Sequence, residues 1–356
     1  MTCRNMGKVN GLSLLVLIVF SILVADARPA DERKSAGEKF KNVSVLSDMP
    51  AEEMGKVMNI ISSSLGVNCN YCHEGTNFAK EDVGRKQIGR EMISMTLALN
   101  ATAFEGKAQV TCNTCHRGKP RPTDAIRLEP LLQSVSLIQP ERKPTADEIL
   151  YKYYHSLGGT DRLAAIKTRH VIAERIEPNG KREPEEHWQT ATGLSRMVTQ
   201  YGTLSVVEGF DGKNAWKQAN GNAIELKSDE AEQIRIEAAI AFGLGVPTYY
   251  SQLEFQLLDK IDDREVYQVS ADSGSKLRDQ LYFDVQNGTL TRRTSSMPTI
   301  LGVFTYQVDY RDYQEFSGVM LPTKIRFAVP NIVWTRQVIT IETNVEIDET
   351  LFRKSN

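Results

Sequence analysis

Thiols are scarce in this chain, with five cysteines among 356 residues, and that scarcity limits what they can do. Cys3 stands alone near the start; the other four fall in two pairs, Cys69/Cys72 and Cys112/Cys115, which leaves no thiol for a disulfide framework elsewhere. An excess of charge of one sign is also lacking: 43 Lys and Arg against 45 Asp and Glu give a net charge of −2. Proteins that bind nucleic acid carry a concentrated positive patch, so nucleic acid is excluded as a partner. Apolar runs of membrane-spanning length are missing as well. The run Leu12–Val24 has thirteen residues, short of the roughly 18 to 20 that cross a bilayer. There is no H-E-x-x-H, no glycine-rich phosphate loop and no Ser/His/Asp motif, which removes the commonest hydrolase and nucleotide-binding readings.

That short run has the context of a leader. Arg4 and Lys8 precede it, and Ala25-Asp26-Ala27 follows with the small-x-small form that signal peptidase accepts. Residues 1–27 are therefore expected to be a signal peptide cleaved after Ala27, with an uncleaved membrane anchor as the alternative. The expected compartment is the bacterial periplasm.

The two cysteine pairs share one pattern. "CNYCH" ends at His73 and "CNTCH" at His116. C-x-x-C-H is the attachment signature of c-type haem: two sulfurs about one helical turn apart form thioethers with one porphyrin, and the following imidazole reaches the iron. Two motifs imply two covalently bound haem c groups, held by Cys69 and Cys72 and by Cys112 and Cys115, with His73 and His116 as proximal ligands. The competing reading is one four-cysteine zinc site. Ribbon-type zinc sites separate their pairs by roughly 15 to 20 residues, fewer than lie between Cys72 and Cys112, and zinc needs no histidine after each pair.

A haem with two protein ligands carries electrons, whereas one with a single ligand is open to small molecules. Each motif follows a segment of helical character. "SDMPAEEMGKVMNIISSSLG" has Ser47 or Asp48 as a cap, Pro50 in the first turn and Gly66 as a left-handed stop, with Met54 and Met58 on one face. "EDVGRKQIGREMISMTLALN", residues 81–100, places Met92 and Met95 on one face. Spacing alone leaves either methionine of each pair as the sixth ligand, or both as core filler.

Residues of about 45–120 resemble the tetrahaem cytochrome subunit of bacterial photosynthetic reaction centres, through "MNIISSSLGVNCNYCH" and "REMISMTLALN" with "VTCNTCHRG". The resemblance implies Met58 as the sixth ligand of the first haem and Met92 as that of the second, leaving Met54 and Met95 to packing. Two of that family's four haem segments are present. His155, His170 and His187 lie beyond the haem region and are expected to be ordinary surface or core histidines.

From Pro120 to Pro144 five prolines mark a linker. Beyond it, a helix capped at Thr145 and ended by Gly158 turns Ile149, Leu150, Tyr153 and Leu157 to one side. Short alternating runs follow, with a helix capped at Ser228 and an Asn287-Gly288 hairpin signal of type I′. The order of "SLGG", "GFDGKNAW", "LYFDVQNGTLTRR" and "GVMLPTKIRF" resembles periplasmic lipoprotein-carrier half-barrels, whose concave sheet face can take acyl chains. Asp211 and Trp216 are expected to be a turn aspartate and a buried tryptophan.

The expected chain is thus a multidomain α plus β protein: a signal peptide at 1–27, an all-α dihaem cytochrome c domain at 28–119, a linker at 120–145 and an antiparallel β half-barrel with a few helices at 146–352. The expected function is electron transfer through two His/Met-ligated haems to redox protein partners, including a membrane electron-transport complex. The β-rich part would dock the module or bind lipid or quinol. The alternatives are a peroxidase-like haem enzyme with one open iron, and a lipid carrier with a haem redox sensor.

Overall fold

A computed structural model of the protein describes residues 34–75, 77–80, 84–122, 142–226, 229–241 and 243–354. The leader and most of the proline-rich linker therefore lie outside the described residues, as does the expected cap Ser228.

The helical part comprises α1 (Ala36–Lys39), α2 (Met54–Leu65), α3 (Arg85–Ala103) and α4 (Cys112–His116). Helix α2 starts later than its cap signals suggest. Pro50 and the 3₁₀ turn Ala51–Glu53 occupy its approach, with no side-chain cap bond, because proline fixes φ for a tight first turn. Its end is as expected: Gly66 adopts φ 66°, a left-handed conformation that glycine takes without penalty. The core of this part joins Ala36, Leu46, Met49 and Val57, with Met54, Met58, Ile61, Ile93 and Leu97 packed around them.

Thr145 caps α5 (Ala146–Ser156) in a reciprocal capping box with Glu148. Ile149, Leu150, Tyr153 and Leu157 are all buried, as their spacing requires. After α6 (Thr160–Ala165) come six strands: β1 (Thr168–Ile176), β2 (Arg182–Thr190), β3 (Ser195–Tyr201), β4 (Leu204–Phe210), β5 (Ala215–Ala219) and β6 (Asn222–Leu226). Helices α7 (Asp229–Ala241) and α8 (Val246–Tyr249) precede seven more: β7 (Gln252–Ile261), β8 (Arg264–Asp272), β9 (Arg278–Asp284), β10 (Leu290–Thr299), β11 (Gly302–Phe316), β12 (Val319–Val329) and β13 (Ile332–Thr343).

All thirteen strands form one open antiparallel sheet in the order β6-β5-β4-β3-β2-β1-β13-β12-β11-β10-β9-β8-β7. Two meanders meet where β1 pairs with β13, Val171 opposite Ile341. The helices α5, α7 and α8 pack their apolar side chains against one face, forming a core with Val269, Leu281, Phe283, Leu290 and Val308. The fold is therefore helices followed by an open half-barrel sheet.

Asn287-Gly288 does turn the chain between β9 and β10, through a longer loop than a two-residue type I′ turn. Gly288 has positive φ and Asn287 does not, because the Asp284 carboxylate accepts the Gln286 and Asn287 amides and holds the first part of the loop. Asp211 likewise accepts the Lys213 and Asn214 amides as a turn residue. Trp216 is buried and donates its indole N–H to the Phe352 carbonyl at 2.9 Å.

The helical and β-rich parts are packed together. Leu301, in the β10–β11 hairpin turn, is fully buried within the helical core. Lys56 of α2 pairs with Asp229 of α7 at 2.6 Å, and the Tyr306 hydroxyl donates to the other oxygen of that carboxylate at 2.6 Å.

Candidate haem module and the sheet cavity

The two C-x-x-C-H segments are built differently at the backbone. Cys69–Tyr71 form a 3₁₀ turn, with the His73 amide donating to the Cys69 carbonyl at 3.0 Å; Cys112–His116 form the short helix α4. Both turns bring the two sulfurs and the imidazole of a motif within about one helical turn. Cys69 and Cys115 are exposed, and Cys72 and Cys112 are half-buried. Among the described residues, no three His, Cys, Asp or Glu side chains converge where they could hold a metal ion.

His116 has the second-sphere bond expected of an iron ligand. Its Nδ1 lies 2.9 Å from the Lys119 carbonyl, so the tautomer that donates there leaves Nε2 with a free lone pair. His73 meets Phe78 edge-on at 5.2 Å, and burial, followed by the charge of Lys86, lowers its pKa and favours the neutral, ligating form.

Helices α2 and α3 share a second feature beside their methionines. The Ser62 hydroxyl donates to the Met58 carbonyl and the Thr96 hydroxyl to the Met92 carbonyl, both at 2.9 Å, and both hydroxyl residues are buried. The sequence carries this as a hydroxyl residue four positions after Met58 and after Met92; the Thr102 hydroxyl makes the same bond to the Ala98 carbonyl later in α3. Near the end of α3, the Asn100 side chain donates to the Val110 carbonyl at 2.7 Å and accepts the Val110 amide at 2.9 Å, tying the helix to the strand of chain entering the second motif.

On α3, Ile88, Met92, Met95 and Leu99 follow helical spacing and are exposed, Met92 by 40%. Phe78 and Phe104 are exposed too. An exposed apolar stripe of this kind is a surface that a large flat apolar group such as haem would cover.

With this geometry in place the chain can be compared with known proteins. Residues 19–149 match the family model of the photosynthetic reaction centre cytochrome C subunit. This cytochrome-like segment is 36% identical over 99 residues to the photosynthetic reaction center cytochrome c subunit of Thermochromatium tepidum, covering 27% of this chain and 24% of that one. Cytochrome c-554 of Chloroflexus aurantiacus is 28% identical over 142 residues, covering 32% and 34%. The chain spans about a quarter to a third of the length of these curated relatives. Among solved structures, a LolA superfamily protein from Nitrosomonas europaea covers 59% of this chain and 98% of its own, at 13% identity and TM-score 0.41. A DUF1329 family protein from Desulfovibrio piger covers 54% and 92%, at 9% identity and TM-score 0.40.

Outside the cytochrome-like segment, a cavity of about 70 Å³ lies between α5, α7 and the sheet. Apolar side chains such as Leu157, Val308 and Phe327 line it, together with Arg169, His187 and Arg336. Arg336 pairs with Glu185, and its other guanidinium nitrogen lies 3.7 Å from Glu237. His187 bonds Ser195 at 3.0 Å; burial, then Arg336 and Arg169, hold its pKa well below the usual range. Burial raises the Glu237 carboxyl and pushes Arg169 down to about 10. The lining is therefore charged as well as apolar, unlike a channel made only for acyl chains. His170 sits in a different setting, stacked on Trp188 between Glu186 and Glu342, as a cross-strand surface group. No described helix is long and apolar enough to cross a membrane.

Proposed function

We propose that the protein is an exported dihaem c-type cytochrome that passes electrons between redox partners in the periplasm, one of them a membrane electron-transport complex. The observation that carries this reading is the repeated unit: a helix with a methionine whose carbonyl is bonded by the hydroxyl four residues on, followed by C-x-x-C-H. Cys69 and Cys72 hold one haem and Cys112 and Cys115 the other. His73 with Met58, and His116 with Met92, supply the axial ligands. Haem c provides a reversible one-electron ferric/ferrous couple, and thioether ligation favours the ferrous state. The chain fixes the ligand geometry, excludes water through the Leu301 core and leaves part of α3 accessible. With both irons saturated there is no open site for peroxide, which separates this reading from a haem enzyme.

Met58→Ala and Met92→Ala test it in protein matured with a periplasmic haem-attachment system. Two covalent haems per chain are expected, and each variant should lower the potential of one haem and open it to carbon monoxide. One haem per chain, or wild-type spectra in both variants, would refute the ligand assignment. The β-rich part is the docking and binding element of this reading, for a lipid or a quinol.

A further inference from the structure

The two haem-bearing helices repeat each other, yet they differ in what touches them from the β-rich part. Ser62 and Thr96 play the same part, each bonding the carbonyl of the methionine four residues earlier. Only Ser62 has an additional donor among the described bonds. The Asn331 amide nitrogen donates to Ser62 Oγ at 2.6 Å and to Asn59 Oδ1 at 3.2 Å. Asn331 lies in the two-residue turn between β12 and β13 at φ 69°, a left-handed conformation that asparagine tolerates better than most residues. The turn thus spends its strained residue on aiming an amide into α2.

A continuous chain of donors results: Asn331 Nδ2 to Ser62 Oγ, and Ser62 O–H to the Met58 carbonyl. Linked hydrogen bonds of this kind polarise and orient one another, and the Ser62 end of the second bond is buried while Asn331 itself is exposed. Two neighbouring contacts hold the same helix. Lys56, two residues before Met58, pairs with Asp229, while Gly302 at the start of β11 lies between the two motifs' helices: a Cβ there would be 3.2 Å from the side chain of Thr111, which precedes α4, and 3.9 Å from that of Ile60 on α2.

We infer that Asn331 is a positioning residue for the first haem, fixing the turn of α2 that presents Met58, so that this contact acts on the first haem and not on the second. This rests on the ligand assignment proposed above. The asymmetry gives two haems of one ligand type different ligand stability.

Asn331→Gly tests this, because glycine keeps the left-handed turn while removing the amide. Asn331→Asp is the second variant: it keeps the side-chain shape and removes the donor. Both are examined as full-length, haem-loaded protein by spectroelectrochemical titration and carbon monoxide binding, with Met58→Ala and Met92→Ala identifying which signal belongs to which haem. Losing one such bond corresponds to about a fivefold change in an equilibrium constant. The expected result is about that increase in carbon monoxide affinity at the first haem and a lower potential there, with the second haem unchanged. Ser62→Ala should reproduce it. Equal changes at both haems, or none at either in two folded variants, would overturn the inference. Failure of the ligand assignment itself would show separately, as a wild-type first haem in Met58→Ala.

Discussion

At the scale of single residues, the most telling side chains are buried and charged. His187 is held neutral by burial and by two guanidinium groups, while in the unfolded chain it titrates near its ordinary value of 6.5. Below that pH the unfolded chain takes up a proton that the folded one refuses, so stability falls as the solution is acidified and is unaffected above it. The expected slope is about 1.4 kcal/mol per pH unit from this group alone. His187→Gln, which keeps a donor for Ser195, should flatten that part of the profile. Urea midpoints at pH 7 and pH 5 for both proteins check this; parallel losses in the two would remove His187 as the source. The cysteines and histidines of the haem motifs were legible because their spacing is chemically specific. His187, Arg169 and Arg336 were not, because a lone charged residue in an alternating strand reads as solvent-facing until the sheet shows which face it joins.

At the scale of elements, the end of α2 meets the end of α4. The Gly118 amide donates to the Ser64 carbonyl at 2.8 Å, and a Cβ on Gly66 would fall 2.1 Å from the Gly118 carbonyl oxygen. Gly66→Ala therefore combines a left-handed alanine with a backbone clash, and should cost more than about 2 kcal/mol in denaturant unfolding. Gly75→Ala is the control. It has φ 57° with nothing near its missing Cβ, and should lose only about 1 kcal/mol. Equal losses would mean that the contact between the two motifs is unimportant. Capping and periodicity made α5 and the end of α2 readable, whereas β6 and β7 went unnoticed. "NAIEL" and "QLEFQLLDKI" alternate, yet both are edge strands with burial on part of one face, so the pattern is weak.

At the scale of the whole molecule, two sequence textures marked two structural classes, and the change between them was legible. Their mutual packing was not, since Leu301 and Asn331 sit in hairpin turns, where an apolar residue or an asparagine carries no message about a distant partner. The β-rich part adds a measurement at this scale: if it serves the redox module, organic extracts of the purified protein, analysed by mass spectrometry, should yield a quinone rather than phospholipid. Phospholipid in its place would return the sheet to the role of a lipid carrier.

The pairing of β1 with β13 joins the first and last strands of the sheet at its centre. A chain made from its amino end presents Cys69 to Cys115 long before Leu301, Asn331 or β13 exists. The helical core lacks its capping leucine during that interval, and the sheet lacks the strand that unites its halves. The helices therefore stay without their β-side contacts until the last strand arrives and the finished sheet locks them in place.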